Sequence, residues 1–351
     1  MIKRIQNIII SLLMIALLTI LIVYSKDTAE TIKHCIGICA DTLIPSIFAY
    51  MILCTFLINS GLSDIITSPL WHISKHFIKI DRKLFSAFIL SLIAGYPVGI
   101  KMLKDIISQN KNYSETAYKI APFCFASGPA FIIGIAGNVI YNSSIAGLII
   151  FISCTIGNII GIVIFAPKKK NCILHHSESP DISGKTVSYA FMSSIKAILM
   201  VCMSMIVFNI VIMLISCVCD KALINSNIFS YIKSLIEVTN ICTLDISTPL
   251  WLVAFFISFG GLCVIFQIFL ISDGGLKIIR FTISRFFVSV ASSVICFIIT
   301  ELSGFEPTLP VFYSKSPDIM LNNPVVMLCV GVMTLILMTF LYNQMKYLKK
   351  F

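Results

Sequence analysis

The chain has 351 residues, of which 58% are hydrophobic and only 12% are charged, and its mean hydropathy is +0.98. A soluble domain is typically about 45–50% apolar and about 25% charged, so these numbers exclude an ordinary cytosolic enzyme. They also exclude a disordered, collagen-like or nucleic-acid-binding protein. The apolar stretches are continuous and do not alternate with period two. This pattern excludes an outer-membrane barrel and predicts an all-α polytopic membrane protein.

The formal net charge is +10, and the basic residues gather in short clusters beside the apolar runs. These clusters are Lys3-Arg4, Arg82-Lys83, residues 168–170 and Lys349-Lys350. Such clusters are typical of cytoplasmic loops and contact anionic head groups. We therefore expect the lipid bilayer to be a partner, with attraction of an anionic substrate as the alternative.

The first part of the chain predicts an anchor followed by a second span. A transmembrane helix needs about 20 mainly apolar residues, and roughly eight segments of this chain are apolar enough to be considered. Residues 5–24 predict a retained signal anchor, because no convincing small-x-small cleavage site is present. Residues 28–40 are too polar to span and are expected at the interface. Residues 43–60 are the second run, and residues 65–79 predict an interfacial amphipathic helix.

Two interruptions follow in the first half. Residues 84–93 are apolar and continue into Gly95-Tyr96-Pro97-Val98-Gly99, with Lys101 directly after this motif. Proline removes a backbone donor and glycine loosens the backbone, so we expect the helix to break there. Ser127-Gly128-Pro129 interrupts the next apolar run in the same way. Residues 145–165 then predict an uninterrupted spanning helix.

The second half begins after residues 167–185, a polar stretch that predicts a linker. Residues 191–218 form a long apolar run. Residues 235–245 contain Glu237-Val238-Thr239-Asn240 in a moderately apolar setting.

The remaining apolar segments close the chain. Residues 250–271 are long enough to span but are broken by Gly260-Gly261, with Gln267 beyond the break. Residues 286–300 and 325–343 complete the set, and we expect residues 273–285 to form a basic cytoplasmic loop.

Each half therefore has an uninterrupted helix, a charged loop and an apolar segment broken at glycine. Residues 88–95 can be aligned with residues 254–261, which favours a two-fold inverted repeat with a site near the bilayer midplane. Coincidence among apolar helices is the alternative. Lysine counts favour a cytoplasmic C-terminus, whereas an inverted repeat places it on the opposite side, and both sidedness arguments stay open. The predicted organisation is an anchor and interfacial segment (1–40), a first repeat (41–166), a linker (167–187), a second repeat (188–300), and a loop with a C-terminal transmembrane helix (301–351).

No catalytic pattern is present in the sequence. The HExxH, GxSxG, P-loop and dinucleotide-binding motifs are all absent. We therefore expect no enzyme activity, no cofactor and no metal site.

The candidate binding residues are backbone breaks and isolated polar side chains. A helix that stops inside the membrane exposes unsatisfied backbone groups and a partial charge, which are tolerated only inside protein or beside a wet cavity. The segments around Gly95 and Gly128 are therefore candidate substrate-facing turns, with a packing kink as the alternative. A charge at depth costs at least about 2.5 kcal/mol, so Glu237 would mark a substrate, ion or proton site. The alternative is an interfacial glutamate paired with Lys233.

Neutral polar residues complete the candidate site. Thr239 and Asn240 offer hydrogen-bonding groups beside the glutamate, and Gln267 is the strongly polar side chain of residues 250–271. Asn158 and Asn209 are interpreted as contacts between helices. The predicted substrate-binding set is Gly95, Tyr96, Pro97, Gly99, Lys101, Ser127, Gly128, Pro129, Glu237, Thr239, Asn240, Gly260, Gly261 and Gln267.

Five motifs that follow one another along the chain resemble those of a known family. They are Leu43-Ile44-Pro45-Ser46-Ile47-Phe48, residues 94–101, residues 127–134, Glu237-Val238-Thr239-Asn240 and Ser258-Phe259-Gly260-Gly261-Leu262. Together, over roughly residues 40–300, the chain resembles the YlbJ-type sporulation integral membrane proteins, which carry a nucleoside-recognition (Gate) domain. The family usually has Gly where this chain has Ile241, and Ser and His where it has Cys263 and Ile265.

The resemblance implies a function as well as a pair of Gate-like repeats. It implies a transporter that moves dipicolinic acid from the mother cell toward the forespore, across the outer forespore membrane of an endospore-forming bacterium. The family is similar in architecture to concentrative nucleoside transporters. Dipicolinate is a small planar dianion, and helix N-termini with Lys101 are hypothesised to meet its carboxylates, with a lysine at the membrane edge as the alternative. A nucleoside-type carrier and a non-transport scaffold for spore maturation are the alternatives, and the coupling ion and homo-oligomer formation stay open.

Overall fold

The computed structural model describes residues 11, 15, 18–75, 77–78, 80–166, 180–218 and 226–305. Every regular element in this part of the chain is helical. Most of the predicted anchor (5–24), most of the linker and the C-terminal helix predicted at 325–343 lie outside the described residues. The labelled helices are Ser25–Ile38 (α1), Ala49–Asn59 (α2), Leu62–Ser74 (α3), Arg82–Ala94 (α4), Val98–Gln109 (α5), Ser114–Ile120 (α6), Pro129–Ile140 (α7), Ser144–Phe165 (α8), Gly184–Val218 (α9), Ser226–Ile236 (α10), Leu250–Phe259 (α11), Gly261–Ile271 (α12) and Ile278–Ser303 (α13). A π-helix, Cys39–Phe48, joins α1 to α2, and Lys111–Tyr113 and Val238–Thr243 are short 3-10 helices.

Several of these helices have membrane length. Within the described ranges, four are long and apolar enough to cross a bilayer: Ser144–Phe165, Gly184–Cys217, Leu250–Ile271 and Ile278–Ser303. A fifth span results if Ser25–Pro45 and Ala49–Asn59, bent by 45°, are counted together. For the described residues, the prediction of an all-helical fold with several membrane-length helices is confirmed, and it indicates an integral membrane protein. The eight segments and the inverted repeat stay predictions.

The predicted break in residues 84–107 is present. α4 begins after Asp81, whose carboxylate accepts a hydrogen bond from the Lys83 N–H at 3.0 Å. It ends at Ala94, because Gly95 adopts φ +82°, a left-handed value that favours glycine. α5 then begins at Val98. The chain is also interrupted before Pro129, which is the first residue of α7 and suits that position since it lacks an N–H.

The break at Gly260 has a different form. Gly260 and Gly261 adopt φ +81° and +77°, so the helical hydrogen bonding of α11 ends there and that of α12 begins. The two helices nevertheless count together as one span of 22 residues.

The expectation of a loop over residues 273–285 is wrong. α13 begins at Ile278 and therefore includes Arg280 and Arg285. A charged residue usually ends an apolar run, but Arg285 finds buried oxygen acceptors on other elements, so the helix continues through it.

Two groups of helices surround the centre of the molecule. α8, α11 and α13 pack against one another, while α9 packs against both α1 and α2. α5 contacts α2 and α12, and the turn Val238–Thr243 contacts α7. The interrupted segments therefore meet between these two groups.

Candidate functional site

A cavity of about 50 Å³ lies where the interrupted segments meet. That volume has room for only a few water molecules. Its apolar wall is built by side chains from several helices, among them Leu43, Ile47, Phe131, Val201, Met205 and Val264. The cavity is therefore small, and most of its lining is apolar.

Seven residues of the predicted binding set line this cavity. They come from segments far apart in the sequence: Gly95, Tyr96, Ser127, Gly128, Glu237, Thr239 and Gln267. The structure thus brings together both breaks of the first half with the polar motif of the second half.

Close backbone approach explains the glycines at this crossing. A Cβ on Gly95 would lie only 2.7 Å from the backbone nitrogen of Gly128. The hydroxyl of Ser127 donates to the carbonyl of Ile257, at 3.4 Å, and so links this crossing to the end of α11. A side chain at Gly95 would therefore push the two segments of this crossing apart.

Glu237 is the single charged residue in the described lining of the cavity. It is 2% exposed, and its Oε1 accepts a hydrogen bond from the Thr239 N–H at 3.2 Å. Its Oε2 has no hydrogen-bond partner among the described residues. The alternative pairing with Lys233 is not found, since the Lys233 Nζ lies over the Phe229 ring, 4.5 Å from its centroid. Glu237 is thus a buried carboxyl with one unused oxygen.

Tyr96 is the second unsatisfied group at the cavity. Its hydroxyl is buried and has no hydrogen-bond partner in the part of the chain that the structure describes. Its ring stacks on Phe125, with a centroid distance of 4.7 Å. The Phe125 ring also contacts the guanidinium of Arg285, whose carbon lies 4.6 Å from the ring centroid. Tyr96 and Phe125 therefore connect the cavity to a buried positive charge.

Arg285 is the important residue that the sequence prediction missed. It is fully buried, and it donates to the carbonyl of Pro122 and the side-chain oxygen of Asn158, both at 2.7 Å. It also donates to the carbonyl and hydroxyl of Ser258, at the C-terminal end of α11. A helix C-terminus carries partial negative charge and suits a cation. Among the described residues, its ligands are all uncharged.

A sequence signal for Arg285 did exist. Ser289 and Ser292 are four and seven residues further on, so the three residues share one helical face. All three side chains are buried. A polar stripe within an apolar run would have indicated a buried polar contact.

Lys101 does not line the cavity. Its Nζ lies 2.7 Å from the Thr55 hydroxyl and 3.2 Å from the Asp105 carboxylate. Asp105 also accepts hydrogen bonds from Tyr189 at 3.0 Å and from Asn59 at 3.3 Å. Lys101 therefore belongs to a satisfied polar cluster that joins α2, α5 and α9.

The remaining predicted residues also lie outside the described lining. Asn240 donates to the Asn209 side-chain oxygen at 3.2 Å, so Asn209 is a contact between elements as predicted. Gly99 is packed against the Cys124 carbonyl, and Gly260 against the ring of Phe125. Pro97, Pro129 and Gly261 shape the breaks without contributing to the lining.

A larger recess of about 630 Å³ lies beside α1, α9 and α10. Asp27, Glu30 and Lys233 are among its lining residues, and so is Asn209. Because Asn209 bonds Asn240, the recess adjoins the same polar motif that supplies Glu237 to the cavity.

Comparison with known proteins adds no identification. No protein-family model matches the chain, and searches of curated proteins and of solved structures give no match.

Proposed function

We propose that the protein is a membrane transporter for a small metabolite and performs no chemistry on it. The observation that carries this proposal is the unpartnered carboxyl oxygen of Glu237, among the described residues, in a cavity formed by interrupted helices. A buried ionisable group in a membrane protein is expensive and ordinarily belongs to a substrate, ion or proton pathway. Interrupted helices at such a cavity are characteristic of secondary transporters.

The first candidate substrate is dipicolinate. The resemblance of the five sequence motifs to the YlbJ-type proteins supports this choice. The same resemblance supports a role in sporulation and a location in the outer forespore membrane. Transport would then run from the mother cell toward the forespore. Small-molecule pockets typically measure about 300–1,000 Å³, so a cavity of about 50 Å³ must expand before it can hold dipicolinate. The glycine breaks at Gly95 and Gly260 are where the backbone is best able to change direction.

The second candidate substrate is a nucleoside. The described lining contains one acidic side chain and no basic one. Ser127, Thr239 and Gln267 offer the hydroxyl and amide groups that an uncharged solute would bind. This lining favours a neutral solute over a dianion as long as Glu237 is ionised.

A cavity-filling variant tests the transport proposal. Val264 lines the cavity and is 3% exposed, whereas Leu262, on the same helix, is 50% exposed. We expect Val264→Phe to abolish flux in proteoliposomes, and Leu262→Phe, which places the same ring on an exposed position, to keep it. Labelled dipicolinate and labelled uridine are each measured, and competition between them decides the substrate.

The scaffold alternative makes the opposite prediction. If the protein only organises the spore envelope, Val264→Phe will support sporulation normally, and spores lacking the protein will contain normal dipicolinate. Absence of flux for both solutes in wild-type proteoliposomes, with the protein inserted and folded, would contradict the transport proposal.

A further inference from the structure

The carboxyl of Glu237 has no positive partner in the described structure. Among the residues that the structure describes, no lysine, arginine or histidine lies within ion-pair distance of it. Within the same residues, its Oε2 and the nearby Tyr96 hydroxyl are both buried without hydrogen-bond partners. A buried carboxylate without compensation is far more costly than a neutral carboxylic acid. The site therefore favours a bound proton.

The groups that face Glu237 do not supply a compensating cation. The titratable side chains near Glu237 are the thiols of Cys35 in α1, Cys39 at the start of the helix Cys39–Phe48 and Cys263 in α12, together with the Tyr96 hydroxyl. Lys233 is one helical turn earlier, but its ammonium lies over Phe229. None of these facing groups, in the part of the chain that the structure describes, is a cation held against the carboxyl.

The shape and lining of the cavity favour a proton over a metal cation. Metal cations such as Na⁺ and Ca²⁺ are held by several oxygen ligands arranged around the ion. Most of the cavity surface is apolar, and among the oxygen-bearing side chains of the described lining only Glu237 can supply a negative charge to a metal ion. A proton needs only the carboxyl itself, and the unpartnered Tyr96 hydroxyl belongs to a residue of the same described lining.

We propose that Glu237 is the proton-binding site of this transporter and that its protonation permits an anionic substrate to bind. This inference rests on the proposed function and extends it to the coupling ion. On the side of lower pH, a hydronium ion gives a proton to the carboxylate and leaves as water, and the carboxylate becomes a neutral carboxylic acid. On the other side, the carboxylic acid returns the proton to water and becomes a carboxylate again. One proton therefore crosses with each anion, as in symport.

The positive charge of Arg285 explains why protonation of Glu237 and binding of an anion are coupled. Tyr96 lines the cavity with Glu237 and stacks on Phe125, whose ring centroid lies 4.6 Å from the guanidinium carbon of Arg285, so the two charges lie on either side of this aromatic pair. Because the ligands of Arg285 in the described structure are uncharged, its positive charge is not neutralised by them. An ionised Glu237 opposes that charge in the cavity, whereas a protonated Glu237 leaves a net positive potential that attracts an anion.

The test measures dipicolinate binding and flux against pH. For wild-type protein, we expect the dissociation constant to rise by about tenfold for each pH unit above the pKa of Glu237, since one proton binds with the anion. An inward proton gradient should drive accumulation. Glu237→Gln imitates the protonated form, so its binding should not change with pH. The proton gradient should no longer drive accumulation of dipicolinate by this variant.

Glu301→Gln is the matched control, because Glu301 lies exposed near the end of α13 and outside the site. It should behave as wild type. Wild-type binding that is independent of pH, or a Glu237→Gln protein that keeps the wild-type pH dependence, would overturn the proton site. Accumulation driven by a sodium gradient at constant pH would also overturn it in favour of a metal cation.

A second measurement separates this inference from the proposed function. Infrared difference spectroscopy of the purified protein reports the C=O stretch of a protonated carboxyl group during a pH change. We expect a band that is lost in Glu237→Gln and kept in Glu301→Gln. If this band is found but no solute is transported, the transport proposal fails and the proton site stands. If transport is found without the band, the proton site fails alone.

Discussion

Lys101 and Glu237 are both buried charges near helix interruptions, yet their surroundings are opposite. Lys101 is 4% exposed and contacts the Asp105 carboxylate and the Thr55 hydroxyl. Glu237 is 2% exposed, and one of its carboxylate oxygens has no hydrogen-bond partner within the described ranges. A charge with all its partners in place stabilises one arrangement of helices. A charge without partners is available for a ligand, so the unsatisfied group is the better functional candidate.

The largest expected effect comes from breaking the satisfied cluster. Lys101→Met leaves the Asp105 carboxylate buried without its cation, which typically costs about 3–5 kcal/mol. Thermal unfolding in detergent should therefore show a large loss of stability. The double variant Lys101→Met/Asp105→Leu should recover most of this loss, because both charges are then removed together.

An exposed ion pair provides the control for that comparison. Lys119 and Glu115 are 2.7 Å apart and their side chains are 52% and 60% exposed. Lys119→Met should change stability by less than about 1 kcal/mol. Equal losses for Lys101→Met and Lys119→Met would show that the buried cluster has no special structural role.

Arg285 sharpens the comparison, because its partners are present but uncharged. Arg285→Met removes the donor from the carbonyls of Pro122 and Ser258 and from the Asn158 side chain. Each buried acceptor left unpaired costs about 1–3 kcal/mol, so we expect a total loss of about 3 kcal/mol after the vacated site relaxes. The melting temperature in detergent measures it. Arg280→Met, at an exposed position of the same helix, should leave it nearly unchanged.

The backbone crossing beneath Glu237 gives a smaller effect. Gly95→Ala places a Cβ 2.7 Å from the Gly128 nitrogen at a residue with φ +82°, and we expect a loss of about 2 kcal/mol from strain and overlap. A Cβ on Gly37 would meet no described atom within 4 Å, and its φ is not left-handed, so Gly37→Ala should stabilise α1 slightly. Melting temperatures of the two variants check both expectations. A Gly95→Ala protein as stable as wild type would show that the crossing is loose.

The breaks could be predicted from sequence because their causes are local. Glycine at positive φ and proline without an N–H act within a few residues, so the breaks at Gly95, Pro129 and Gly260 were found correctly. The partner of Lys101 was also within reach, since Asp105 is four residues away and faces the same side of a helix. The contacts of this pair with Thr55 and Tyr189 could not be predicted, because they depend on how helices that are distant in the sequence pack.

The buried position of Arg285 could not be predicted either, because it too depends on how distant segments pack. Its acceptors belong to Pro122, Asn158 and Ser258, three other elements of the chain. Hydropathy alone ends a span at a charge, whereas the folded protein continues the helix when oxygen atoms from elsewhere accept its hydrogen bonds. Packing also decides which candidate residues line the same cavity. The sequence therefore indicated Glu237 as a candidate but did not indicate that Tyr96 and Ser127 line the same cavity.

Glu237→Gln should have the smallest effect on stability. Unlike the substitutions of the other buried charges, it should stabilise the protein. The wild-type carboxyl has no cation among the described residues, so its ionised form destabilises the folded state and stability falls as the pH rises. Glutamine has nearly the same shape and cannot ionise. At about pH 4, near the ordinary pKa of a glutamate in an unfolded chain, the two proteins should melt at nearly the same temperature, and at about pH 7 the variant should melt a few degrees higher, a difference of about 1 kcal/mol. A variant that melts well below wild type at both pH values would mean that the carboxylate has a structural partner and belongs in the same class as Asp105.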